Sequence, residues 1–134
     1  YAHHPTEVLA TLATARLVAA SKGGRVIVIF QPHRYSRTAA FSEEFAQALR
    51  GSDYALLLDI YGAGEEPIPG ASSAAITAKI NELGGKSDFE PNLMEAIELA
   101  RNFAERNDLI LTMGAGDVTS LAPQILAAIN EYKI

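Results

Sequence analysis

A chain of 134 residues, 49% hydrophobic and 20% charged, is long enough to bury one core and too short for several. Its net charge of -5 argues against broad electrostatic binding to nucleic acid or to an anionic membrane surface. With no cysteine, disulfides, thiolate nucleophiles and zinc thiolate centres are excluded, which suits a reducing cytoplasm. The apolar runs are too short to span a bilayer and the first residues carry no signal-peptide pattern, so a soluble cytoplasmic protein is expected.

The sequence opens on Tyr1-Ala2-His3-His4-Pro5-Thr6-Glu7 with no methionine, which reads as a cut inside a longer protein. Pro5 suits a first helical position and Glu7 complements the helix dipole, while Val8, Leu12, Ala15 and Ala19 recur at helical spacing. A helix is expected over about 5–21, stopped by Lys22-Gly23-Gly24. Val26 to Phe30 is an unbroken apolar, β-branched run, the pattern of a strand buried on both faces of a parallel sheet. A charged loop, Gln31-Pro32-His33-Arg34-Tyr35-Ser36-Arg37-Thr38, leads into an amphipathic helix from Ala39 to Leu49. Tyr54 to Leu58 is the second buried strand, and Asp59 to Gly70 forms a loop rich in glycine, proline and acid. Its length suits a functional role as well as a structural one.

Ser72 to Leu83 is expected as a helix, Lys86 to Phe89 as a short strand, and Asn92 to Arg106 as a helix with Leu93, Ile97, Ala100 and Phe103 on one face. Leu109 to Met113 is the last buried strand, followed by Gly114-Ala115-Gly116-Asp117 and a helix over about 119–132. Strands alternating with helices give a single Rossmann-like, doubly wound α/β domain, with a mostly parallel sheet and helices on both faces.

In such a sheet, ligands sit beyond the carboxyl ends of the strands. Arg34 and Arg37 offer planar forks of donors that match a carboxylate or phosphate, and His33 adds an imidazole, a group of the kind that can titrate near neutral pH. The loop therefore reads as an anion site, although two solvated arginines at a helix entry would look the same. Gly114-Ala115-Gly116 fits either a backbone anion cradle or a tight turn. There is no Gly-x-x-x-x-Gly-Lys-Ser/Thr loop for the phosphates of ATP. His3 and His4, with His33 the only other histidine, are too few and poorly spaced for a metal centre. Asp59, Glu65, Glu66 and Asp117 fall on loops at the ligand edge, where each could act as a base, bind magnesium or simply be solvated.

Taken together, Tyr1 to Glu7, Phe30 to Thr38, Asp59 to Glu65 and Met113 to Asp117 resemble, in residues, order and spacing, the carboxyl-terminal domain of the Mur ligases. The branch they resemble joins L-alanine to UDP-N-acetylmuramate in peptidoglycan synthesis. The resemblance covers residues 1–134 and implies that the UDP-sugar domain and the central ATPase lie outside this chain. It implies a ligase using ATP and magnesium, in which the amine of L-alanine attacks an acyl phosphate of the lactyl carboxylate. A fragment alone would then be inactive. By resemblance Arg34 and Arg37 hold the L-alanine carboxylate and neighbouring anions, His3 contacts the amino acid or the intermediate, Tyr61 lines the alanine pocket and Tyr1 stacks on adenine. Two alternatives remain: the same domain of the related peptide-recycling ligase, and a noncatalytic module that binds a small anion.

Overall fold

The computed structural model describes residues 4–114 and Pro123. Along the chain run α1 (Pro5–Ser21), β1 (Val26–Gln31), α2 (Tyr35–Leu49), β2 (Tyr54–Leu57), α3 (Ser73–Glu82), β3 (Ser87–Phe89), α4 (Leu93–Phe103) and β4 (Leu109–Gly114). The described strands form one sheet in the order β3-β2-β1-β4, and each pairing is parallel. Apart from Pro123, the helix expected over 119–132 lies outside the described residues, as does the Gly116-Asp117 turn.

Strand alternation divides the core in two. Val26, Val28, Phe30, Ala55 and Leu57 face Val8 and Leu12 of α1, Phe45 and Leu49 of α2, and Ile76 and Ile80 of α3. Ile27, Ile29, Tyr54, Leu56 and Leu58 face the other way, against Ala96, Ile97 and Ala100 of α4. Helices therefore cover both faces, as the continuous apolar strands require. Each large aliphatic side chain sealed here contributes about 1.5–3 kcal/mol of transfer free energy.

Helix starts follow their caps. His4 Nδ1 accepts from the Thr6 amide at 3.2 Å, Ser72 Oγ from Ala75 at 3.1 Å and Asn92 Oδ1 from Glu95 at 3.1 Å. Two boundaries depart from the sequence expectation. The helix expected to run to Arg106 stops at Phe103, because Asp108 reaches back and its Oδ2 accepts from the Glu105 amide at 2.8 Å. Arg25 completes this clip, donating to Asp108 Oδ2 at 2.7 Å and to the Phe103 carbonyl at 2.8 Å. Burial pushes the Asp108 carboxyl up, but the hydrogen bonds and charge of Arg25, with the Glu105 amide, outweigh it and hold the group below its ordinary value. The second departure is α2, which starts at Tyr35 rather than Ala39.

Candidate functional site

The sheet order fixes where a ligand would sit. From central β1 the chain steps outward to β2 and β3, then returns to place β4 on the other side of β1. Connections leaving the carboxyl end of β1 thus lie at the point where the winding reverses, which opens a crevice in doubly wound sheets. Gly114 permits the close approach of β4 there: a Cβ on it would lie 2.2 Å from the Gln31 carbonyl oxygen, and its φ is +117°.

Arg34 stands at this reversal as the residue before α2. Its backbone has φ 69° and ψ 139°, a region non-glycine residues seldom occupy. Such a conformation costs about 1–3 kcal/mol and persists only where surrounding structure imposes it. Here the Arg34 amide donates to the Tyr61 carbonyl at 2.8 Å, and its carbonyl accepts from the Thr38 amide at 3.1 Å and from Thr38 Oγ1 at 2.8 Å. Thr38 is fully buried, so the Arg34 carbonyl is anchored to the core while the residue itself is exposed.

The Asp59 to Gly70 loop comes alongside. Tyr61 pairs with His33 in a single parallel bridge, its amide donating to the Pro32 carbonyl at 2.9 Å. The two rings stack with centroids 5.8 Å apart and 12° between planes. Arg37, one turn into the site from His33, places Nη1 3.0 Å from His33 Nδ1. A guanidinium only donates, so Nδ1 accepts and the imidazole proton belongs on Nε2. Glu65 accepts from the Ser36 amide at 3.0 Å and from Ser36 Oγ at 2.6 Å. The Ser36 hydroxyl, then its amide, with the Tyr35 amide and the Arg34 charge, hold the Glu65 carboxyl below its ordinary value.

The structure thus brings together Arg34, Arg37, His33, Tyr61 and Glu65 at one sheet edge. Arg37, expected on a loop, lies in the first turn of α2, because the Glu65 carboxylate and Thr38 satisfy that turn. Tyr1, His3 and Asp117 lie outside the described residues. His4 is occupied as a helix cap, with its ring edge against Phe41 at 5.1 Å. Asp59 Oδ1 accepts from the Ile60 amide at 2.9 Å. Among the described residues no group of three or more His, Cys, Asp or Glu is gathered for a metal ion. Among them no helix is long and apolar enough to cross a membrane. Sequence reasoning placed Glu65 on this edge without finding its partner Ser36; only the unusual length of its loop pointed to a role.

These features define a class: a doubly wound α/β domain presenting two arginines at the reversal of its sheet. The family model described as Mur ligase, glutamate ligase domain, matches residues 1–116, and the chain belongs to the Mur ligase family. It is 49% identical over 97% of its length to the UDP-N-acetylmuramate--L-alanine ligase of Rhodococcus erythropolis (strain PR4), and spans 27% of that protein. The ligase of the same name from Saccharopolyspora erythraea is also 49% identical over 97% of the chain, which spans 26% of it. The chain therefore corresponds to about a quarter of the length of these relatives. Among solved structures, a domain from a putative UDP-N-acetylmuramate:L-alanyl-gamma-D-glutamyl-medo-diaminopimelate ligase of Haemophilus ducreyi superposes with a TM-score of 0.70 at 20% identity, over 96% of this chain and 86% of that one. A murein peptide ligase from Psychrobacter arcticus gives a TM-score of 0.70 at 22% identity, over 96% of this chain and 26% of that one.

Proposed function

We propose that this chain is the carboxyl-terminal domain of a ligase joining L-alanine to UDP-N-acetylmuramate, and that its arginine edge receives the carboxylate of L-alanine. The observation that carries the reading is the strained backbone of Arg34 at the reversal of the sheet, an expense with no packing return for an exposed side chain. Sequence likeness supports the particular substrate: relatives sharing 46–49% identity with the chain are named as L-alanine ligases. The peptide-recycling alternative is weaker, since the solved peptide ligase shares the fold at 22% identity.

In this reading Arg34 and Arg37 act by position. A guanidinium fork fixes both oxygens of a carboxylate, and with it the direction of the amine two bonds away. Holding the amine beside an activated carboxyl removes orientational entropy from the barrier to amide formation. His33, with its Nδ1 engaged by Arg37, presents a neutral ring, and stacked Tyr61 lines the alanine pocket. His3 contacts the amino-acid side and Tyr1 stacks on adenine. ATP and magnesium would be held mainly by the remainder of the ligase and, when bound, would supply the activation of the sugar carboxylate, with the ligase in the cytoplasm. The chain alone is then inactive.

Steady-state kinetics of the intact ligase carrying this domain test the reading. Arg34→Ala should raise the KM for L-alanine by about 30-fold, equivalent to about 2 kcal/mol of lost charged contact. Unchanged alanine kinetics would refute it.

A further inference from the structure

Three consecutive residues at the entrance to α2 are gripped by one turn of the neighbouring loop. Tyr61 takes the Arg34 amide through its carbonyl, Gly62 lies under the Tyr35 ring, and Glu65 takes both the amide and the hydroxyl of Ser36. The turn is itself closed: the Glu65 amide donates to the Gly62 carbonyl at 3.0 Å, with Ala63 at φ 52° and Gly64 at φ 88° between them. Two successive positive φ values describe a tight turn of the primed kind, which fixes where the Glu65 side chain begins. Gly62 leaves no room for a larger residue, since a Cβ there would be 2.9 Å from a Tyr35 ring carbon.

Arg34 occupies the cap position of α2 without making a side-chain cap hydrogen bond. An uncapped first turn leaves amide donors unsatisfied. Glu65 supplies the missing acceptor from another loop, a role that the Arg34 guanidinium, which only donates, could not fill. We propose that Glu65 is a positioning residue: by clamping Ser36 it holds Arg34 in the strained backbone that aims its guanidinium at the substrate carboxylate. The proposal rests on the reading that Arg34 receives that carboxylate. A cap with no such role would contribute to folding alone, and its loss would act independently of Arg34.

The test is a double-substitution cycle in the intact ligase, reading the KM for L-alanine and for ATP. Glu65→Ala should raise the alanine KM by about tenfold, the scale expected when a binding group is displaced by a fraction of an ångström, and leave the ATP KM unchanged. In an Arg34→Ala background, Glu65→Ala should raise it no further, because the group being aimed is gone. Should Glu65→Ala fail to fold, Glu65→Gln, which keeps one acceptor and the same volume, should give a smaller rise with the same non-additivity. An alanine KM that stays at the wild-type level in the Glu65 variant, beside a raised one in Arg34→Ala, overturns the positioning role alone. Equal rises with and without Arg34 overturn it as well. An unchanged KM in Arg34→Ala overturns the carboxylate reading and this proposal with it.

Discussion

Replacing Arg34 with glycine should leave the domain more stable than Arg34→Ala does, while raising the alanine KM of the intact ligase to the same extent. The backbone at φ 69°, ψ 139° is nearly closed to any residue bearing a Cβ and open to glycine. Relief of that strain yields about 1–3 kcal/mol. Glycine gives back about 0.5–1 kcal/mol through the greater freedom of its unfolded chain. The net gain is about 1 kcal/mol relative to Arg34→Ala, which keeps the Cβ and loses the same guanidinium. For a domain of this size that corresponds to about 3 °C in Tm. The comparison of the two variants is the informative one, because the attraction between Arg34 and Glu65 is lost in both. Urea unfolding of the chain, fitted with a common slope, provides the free energies, and kinetics of the intact ligase should show the same raised alanine KM for both. A glycine variant no more stable than the alanine variant would show that the backbone is not strained, and the case for a functionally imposed Arg34 would fail.

Other predictions concern the frame that carries this edge. Gly114→Ala would drive a methyl into the Gln31 carbonyl at positive φ and should cost about 3 kcal/mol or more, whereas Gly23→Ala, with positive φ but open space around it, should cost about 1 kcal/mol; equal losses in urea unfolding would contradict the close approach of β1 and β4. Asp108 has a depressed carboxyl, so its contribution to stability is present above the ordinary carboxylate range and is lost as pH falls through the lower folded value. Asp108→Asn should therefore be less stable at neutral pH and show a flatter acid limb in stability against pH; an unchanged acid limb would refute the assignment. Tyr54, whose hydroxyl donates to Asp88 Oδ2 at 2.8 Å, should lose about 1 kcal/mol as Tyr54→Phe, measured by urea unfolding.

Sequence patterning carried the strands well, because a strand buried on both faces has little choice of composition: the runs Val26 to Phe30 and Tyr54 to Leu58 correspond, within one residue at their ends, to β1 and β2. Helix starts were also readable where the cap is local, as at Ser72 and Asn92. The two boundaries that shifted depend on partners distant in sequence. At the end of α4 the short-range contact of Asp108 with the Glu105 amide is braced by Arg25, 83 positions before Asp108, and the start of α2 is set by Glu65, 29 positions after Ser36. No local propensity encodes such a partner. At the candidate site, residue type singled out Arg34 and Arg37 as candidates, since paired guanidinium groups at a strand end suggest an anion, although two solvated arginines would read the same. The backbone strain at Arg34, the His33–Tyr61 stack and the Glu65 clamp are properties of two loops meeting, and no single stretch announces them.

The most direct test of the central claim compares L-alanine with L-alaninamide as the amine substrate of the intact ligase, in the wild type and in Arg34→Ala. The amide keeps the nucleophilic amine and the methyl group and loses only the charged oxygens. If Arg34 receives the carboxylate, the wild type should prefer L-alanine in kcat/KM by about 30-fold or more, and Arg34→Ala should lose most of that preference. A preference that survives intact in the variant would place the carboxylate elsewhere and contradict the account.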